Sequence, residues 1–294
     1  MNVGVVGLGK MGLAIAIRLI ERGFDVVGWD VEPSKLEGAR EAGVTIAQDP
    51  ADLALRSDVI LSIVTDDAAV RWLFESGRGL LAADVRGKLF VEMSTLQPAT
   101  VRDVGALADR AGAYLIGAPV LGSIQAVSEG KLLVLAGGAA EQIERSRSVL
   151  SALARDVVNL GPLGSANAMK LVVNLTMAAY LGSLAEGLAL GQQQGLQLDR
   201  MLEILCEAPT ANAWLKAKLP ALTGETAPTT LDIAALRKDV LSAIATGSTD
   251  GVAMPLASGV LSSLSAAVAA GHGYEDLAQL PKFFREHMVR HPSR

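Results

Sequence analysis

This chain of 294 residues is expected to fold as an α/β domain with a mainly parallel sheet, followed by an all-α domain. Three observations carry that expectation. Up to residue 160, short apolar runs alternate with helical stretches, the pattern of a sheet covered on both faces. A glycine-rich hexapeptide, Gly7-Leu8-Gly9-Lys10-Met11-Gly12, sits between the first apolar run and the first helix, which makes the α/β half Rossmann-type. After Gly161-Pro162-Leu163-Gly164 the strand signals stop and only helical periodicity remains, so the expected domains are residues 1–163 and 164–294.

The elements follow in order. Val3-Gly4-Val5-Val6 is the first strand; residues 11–21 form a helix with Leu13, Ile17 and Ile20 on one face, closed by Gly23. Val26-Val27-Gly28-Trp29 is the second strand. Strands are expected at 59–64, 89–91, 114–116, 132–136 and 157–160, with helices at 50–55, 68–74, 98–111 and 141–153 between most of them. Beyond the glycine-rich junction a long helix spans 166–195. Its small residues Ala178, Ala179, Gly182, Ala185 and Gly187 permit close helix contacts. Further helices are expected at 198–207, 211–219, 231–246, 255–272 and 274–288.

The hexapeptide is a candidate dinucleotide loop. Gly7 allows the tight turn, Gly9 lets backbone approach a pyrophosphate, and Gly12 lets the helix pack close to the sheet, with the phosphates at its N-terminus. The alternatives are an ordinary strand-to-helix turn and a flavin in place of a nicotinamide cofactor. Asp30 follows the second strand, 18 residues beyond Gly12, where an acid accepts hydrogen bonds from an adenosine ribose. A carboxylate there repels a 2′-phosphate, and Val31-Glu32-Pro33-Ser34 brings no arginine, so NAD(H) is favoured over NADP(H); Lys35 and Arg40 are the nearest cations. In parallel sheets ligands gather beyond the carboxyl ends of strands, which makes Val64-Thr65-Asp66 and Glu92-Met93-Ser94-Thr95 candidates for the cofactor face. Ser94-Thr95 could also simply cap the helix that starts at Pro98. Lys170 and Asn174, four apart near the start of the long helix, share a face. By spacing alone they are an unexceptional solvent-facing pair.

Composition narrows the function classes. A net charge of −5 with no long Lys/Arg cluster speaks against a broad nucleic-acid surface. A single cysteine, Cys206, allows neither an intrachain disulfide nor a thiolate zinc cluster. His272, His287 and His291 fit a surface or tail better than a metal site. The N-terminus enters a strand at once, and the apolar helices contain charges or fall short of a membrane span, so a cytoplasmic location with no membrane partner is expected. The long apolar helix suggests burial against another layer or subunit, hence a homodimer or homotetramer.

Four segments in order resemble the β-hydroxyacid dehydrogenase family, over nearly the whole chain from Gly4 to about Asp276. The start, GVVGLGKMGLAIAIRL, resembles its GLGxMG signature, and Glu92-Met93-Ser94-Thr95 its D-x-S-T segment. Residues 161–174 resemble its G-x-x-G-x-G-x-x-x-K-x-x-x-N signature, and Arg237-Lys238-Asp239 its K-D-L segment. The resemblance implies an NAD(P)-dependent dehydrogenase or reductase that moves a hydride between cofactor and a small β-hydroxyacid or its semialdehyde. Lys170 would be the general acid/base assisted by Asn174, and Thr95 and Lys238 would face both cofactor and substrate. Ser94, Gly122 and Ser123 would add substrate contacts in a cleft between the domains, with Val64 and Thr65 on the cofactor. A cation at Lys238 implies an anionic substrate.

This chain departs from the family at two places. Gly117-Ala118-Pro119-Val120-Leu121-Gly122-Ser123 stands where the family often has D-A-P-V-S-G-G, so Leu121 replaces a hydroxyl. That run resembles the glyoxylate/succinic semialdehyde reductase branch, whose usual phosphorylated cofactor conflicts with Asp30. Ala166 replaces the third glycine of the catalytic signature. Imine reduction on the same scaffold is the enzymatic alternative, against which Lys170 speaks, and NAD binding without turnover is the non-enzymatic one.

Overall fold

The computed structural model describes residues 1–225 and 229–289; His291 lies outside the described residues. The chain divides into two compact units, Met1–Leu171 and Val172–Arg294.

The first unit runs β1 (Asn2–Val6), α1 (Lys10–Glu21), β2 (Asp25–Trp29), α2 (Pro33–Glu41), β3 (Thr45–Ile46), α3 (Pro50–Arg56), β4 (Val59–Ser62), α4 (Asp67–Glu75), β5 (Leu89–Glu92), α5 (Pro98–Arg110) and β6 (Tyr114–Gly117). These six strands form one parallel sheet in the order β3-β2-β1-β4-β5-β6. Successive residues feed opposite faces: Val3, Val5, Leu61 and Val91 join one core, whereas Val6, Ile60 and Phe90 join the other. Phe90 is fully buried and meets Phe74 of α4 edge-on at 5.1 Å. Burial of such a ring stabilises the fold by about 2–3 kcal/mol. Because β2 and β4 flank β1 on opposite sides, the chain reverses direction across the sheet at β1/β4, the crevice where open α/β sheets bind ligands.

The expectation of one continuous sheet needs correction. β7 (Val120–Leu121), β8 (Leu132–Ala136) and β9 (Ala154–Asn159) form a separate three-stranded sheet, with β7 antiparallel and β9 parallel to β8. Between them lie α6 (Ile124–Ser128) and α7 (Ala140–Leu153). The fourth strand also stops at Ser62 instead of residue 64, and the Val64 N–H bonds to the Ser94 hydroxyl oxygen instead of a neighbouring strand.

Helix α8 (Ser165–Gln193) begins in the first unit and continues into the second, followed by α9 (Leu198–Glu207), α10 (Ala213–Leu222), α11 (Ile233–Thr249), α12 (Pro255–Ala269) and α13 (Leu280–His287). In the second unit Ala178 and Leu181 of α8 pack with Leu236 and Val240 of α11 and with Val260 and Leu264 of α12. By length and composition α8 reaches a membrane span, contrary to the sequence reading, although it carries Lys170 and Glu186. Its buried stripe makes it a core helix of this unit. The single helix expected over 274–288 is also broken. Asp276 caps a 3-10 turn over Leu277–Gln279, and α13 starts only at Leu280. The reason is tertiary: the Asp276 carboxylate is buried against Lys218 Nζ at 2.8 Å and Thr230 N–H at 2.8 Å.

Candidate active site

The glycine turn has the geometry its residues dictate. Gly7 adopts φ +89°, and a Cβ there would run into the Ile63 carbonyl. A Cβ on Gly12 would collide with the Gly7 carbonyl, so α1 can approach the turn this closely only with hydrogen at that position. At Gly9, by contrast, a Cβ would meet nothing within 4 Å. Gly9 is the N-cap of α1 and brings no side chain to its N–H groups. An open approach to uncapped amides suits the phosphates of a dinucleotide. Leu8 and Gly12 are buried, Gly7, Gly9 and Met11 half-buried, and Lys10 exposed.

Asp30 is only 6% exposed. One carboxylate oxygen accepts from Leu8 N–H at 2.7 Å and the other from Glu32 N–H at 2.8 Å. Asp30 therefore fastens the glycine turn to the end of β2, a role the sequence did not reveal. Lys35 Nζ lies 3.7 Å from Asp30 and 2.9 Å from Glu32.

Beyond β4 and β5, Val64 is half-buried, Thr65 exposed and Thr95 half-buried, whereas Ser94 faces inward at 2% exposure. Ser94 Oγ accepts from Val64 N–H at 2.8 Å and also bonds to Glu92. Glu92 is fully buried. It accepts from Ser94 N–H at 2.7 Å on one oxygen and from the Ser62 hydroxyl on the other. Burial lifts its carboxyl to about 7, against the downward pull of the bonds from Ser62 and Ser94 and with a small further lift from the negative Asp67. Ser62 was not singled out in the sequence. Its signal is register, since Ser62 and Glu92 are direct neighbours across β4 and β5.

The first turns of α8 bring Lys170 to β7, where its Nζ donates to the Val120 carbonyl at 3.0 Å. Gly122 and Ser123 follow directly; the Ser123 hydroxyl caps α6 by accepting from Ala126 N–H at 3.3 Å. Asn174 lies one turn beyond Lys170 on α8. Within the second unit its amide is buried and donates to Asp239 at 2.6 Å. Asp239 Oδ1 lies 2.7 Å from Lys238 Nζ, a pairing by distance that falls outside hydrogen-bond angles. Lys238-Asp239 is thus no solvated surface pair: Asp239 is 4% exposed and orients Asn174. Among the described residues no group of three or more His, Cys, Asp or Glu side chains is placed to hold a metal.

Comparison with known proteins adds three findings. The family profile of the NAD binding domain of 6-phosphogluconate dehydrogenase matches residues 2–161, and that of the NAD-binding region of NADP-dependent 3-hydroxyisobutyrate dehydrogenase matches residues 164–284. The chain is 30% identical to glyoxylate/succinic semialdehyde reductase 1 of Arabidopsis thaliana, over 97% of this chain and 100% of that protein. Among solved structures, 3-hydroxyisobutyrate dehydrogenase of Mycobacterium tuberculosis with L-serine superposes with a TM-score of 0.85 at 25% identity, covering 97% of this chain and 99% of the other. An imine reductase from Myxococcus stipitatus with NADP+ shares the fold at a TM-score of 0.68 and 23% identity, covering 97% and 100% of the two chains.

Proposed function

The chain belongs to the β-hydroxyacid dehydrogenases related to 3-hydroxyisobutyrate and 6-phosphogluconate dehydrogenases and is an NAD(P)-dependent oxidoreductase, and from that premise we propose that it interconverts a small β-hydroxyacid and its semialdehyde or keto form, with Lys170 as general acid and base. The observation that carries this reading is the Lys170 ammonium, held 3.0 Å from the Val120 carbonyl beside Gly122 and Ser123. The nicotinamide cofactor, when bound, supplies the hydride acceptor or donor. The chain's own residues supply the rest. Gly7 to Gly12 hold the pyrophosphate, Asp30 the adenosine ribose, and Val64, Thr65 and Thr95 the nicotinamide end.

In the reductive direction the Lys170 ammonium donates a proton to the carbonyl oxygen; in the oxidative direction its neutral amine removes the hydroxyl proton. Asn174, with its N–H committed to Asp239, offers its carbonyl oxygen to the substrate hydroxyl or to Lys170. Ser123 and the Gly122 backbone receive the acid end of the substrate. Ser94, buried against Val64 and Glu92, serves through the loop it holds.

NAD(H) is favoured over NADP(H) because two carboxylates, Asp30 and Glu32, face one ammonium, Lys35, at the adenosine end. A homodimer or homotetramer is in keeping with the exposed apolar side chains Leu190, Ile204 and Leu256. The test is nicotinamide absorbance, with NAD+ or NADP+ against a panel of 3-hydroxyacids and NADH or NADPH against short semialdehydes, glyoxylate and a cyclic imine. Turnover of an acid or aldehyde with NAD(H) supports the reading. Turnover of the imine alone would move the protein to imine reduction, and cofactor binding with no turnover at all would leave a nucleotide-binding protein.

A further inference from the structure

Glu92 stands out as a buried ionisable group that the hydride-transfer reading does not use. It ends β5, directly opposite Ser62 at the end of β4, and three donors converge on its carboxylate: the Ser62 hydroxyl, Ser94 N–H and the Ser94 hydroxyl. The Ser94 oxygen in turn accepts from Val64 N–H at 2.8 Å. One carboxylate thus ties the segment that follows β4, with Val64 and Thr65, to the segment that follows β5, with Thr95. In the family's D-x-S-T segment the acid is one methylene shorter; in this chain the longer side chain spans to the neighbouring strand.

We propose that Glu92 is a positioning residue that sets the β4–α4 and β5–α5 loops in a single frame, and with them Val64, Thr65 and Thr95 at the nicotinamide end of the cofactor site. The proposal rests on the cofactor reading given above. An ionised Glu92 accepts from all three donors at once. A protonated Glu92 must place its own hydrogen, and the Ser62 hydroxyl then has to turn its proton away, so the clamp is tighter when Glu92 is charged. The negative Asp67 at the start of α4 disfavours ionisation of Glu92, whereas β4 and the 93–97 segment contribute only uncharged side chains. Asp67 is itself tied to the second loop, accepting from Gln97 N–H at 3.0 Å. With the carboxyl titrating at about 7, both clamp states are populated near neutrality.

The experiment is NADH titration by fluorescence between pH 5.5 and 9 for the whole protein, its Glu92→Gln, Ser62→Ala and Lys170→Ala variants, with thermal unfolding of each. Wild-type protein should bind NADH more tightly above neutrality, by on the order of tenfold, because a charge-assisted clamp replaces a neutral one. Glu92→Gln can still accept from Ser94 and donate to Ser62, so it should fold. It should bind with the weaker, low-pH affinity at every pH and show no inflection. Ser62→Ala should weaken binding at high pH and flatten the profile. Lys170→Ala should keep the wild-type inflection. A folded Glu92→Gln protein with the wild-type pH profile would overturn the proposal, as would loss of the inflection in Lys170→Ala with its retention in Glu92→Gln. If wild-type protein binds neither NADH nor NADPH at any pH, the cofactor reading itself fails, an outcome distinct from cofactor binding that ignores Glu92.

Discussion

The backbone N–H of Leu8 donates to the carboxylate of Asp30 over 2.7 Å, so the residue that follows the second strand also holds the glycine turn. Asp30 consequently has two jobs, a structural one inside the protein and the proposed one at the ribose, and two substitutions separate them. Asp30→Asn keeps an acceptor for Leu8 but removes the charge. It should shift the NAD-to-NADP preference toward NADP by about tenfold, since one charge–charge repulsion is removed, at a stability cost of about 1 kcal/mol because the Glu32 N–H then faces the amide NH2 instead of an oxygen. Asp30→Ala should shift the preference and also weaken both cofactors, with a stability loss of about 1–3 kcal/mol from the unsatisfied Leu8 amide. Unaltered cofactor ratios in both variants would remove Asp30 from the selectivity argument.

Gly12→Ala tests the turn geometry. The new methyl meets the Gly7 carbonyl, so either α1 or the turn must shift. We expect a melting temperature lowered by several degrees, corresponding to about 1–3 kcal/mol of overpacking, and NADH affinity reduced in parallel. Gly9→Ala, whose Cβ meets only open space, should leave stability within about 0.5 kcal/mol yet impair cofactor binding. Intact binding in Gly9→Ala would argue against phosphates passing over that backbone.

Lys170→Ala should reduce kcat by on the order of 10²-fold or more while leaving NADH affinity nearly unchanged, because proton transfer is lost and the glycine turn is not touched. A Lys170→Ala enzyme with normal kcat would end the general acid/base assignment.

Glu92 makes stability depend on pH in a direction opposite to that of a salt-bridged carboxylate. Its folded-state value of about 7 lies above the ordinary value of 4.5, so between those pH values the folded protein holds a proton that the unfolded chain has released. Stability contributed by the neutral carboxyl is full below 4.5, falls as the pH rises toward 7, and is gone above it. Glu92→Gln removes this dependence. Urea unfolding at pH 5 and pH 8 should therefore show a smaller pH difference in the variant than in wild-type protein, and an identical difference would place the carboxyl near its ordinary value.

In the second unit, Lys218 and Asp276 form an ion pair of 2.8 Å in which both side chains are less than one-tenth exposed. Burial alone would raise the Asp276 carboxyl; the bonds from Lys218, Thr230 and Ala278 outweigh it and hold the group below its usual range. Lys218→Ala leaves that charge buried with no cation beside it, held only by the Thr230 hydroxyl and backbone N–H donors, and should cost about 3–5 kcal/mol, read as a drop in the urea midpoint. Lys218→Ala together with Asp276→Asn should recover part of the loss; no recovery would mean that Lys218 acts through packing.

Most of the periodic elements, the glycine turn and the two-part organisation were legible in the chain because each depends on neighbours within a few residues. Leu13, Ile17 and Ile20 repeat at helical spacing, and Gly7 and Gly12 mark their turn wherever it is placed. Elements that bury almost nothing of their own escaped notice: α2 has only Ala39 buried, and β3 and β7 are two residues each. The split into two sheets was equally invisible, since strand partners are chosen across the fold and an apolar run carries no label for its neighbour.

The residues around the candidate site divide on the same ground. Lys170 and Asn174 could be placed on one helix from spacing, and the glycine turn before its helix, because local backbone geometry sets those positions. The bonds that tie Leu8 to Asp30, Ser62 to Glu92 and Asn174 to Asp239 cross 22, 30 and 65 residues, and they exist only once strands and helices have packed. Packing also sets the protonation of Glu92, because the free energy of a charge depends on how much water the surrounding chain has removed, a quantity no local pattern records.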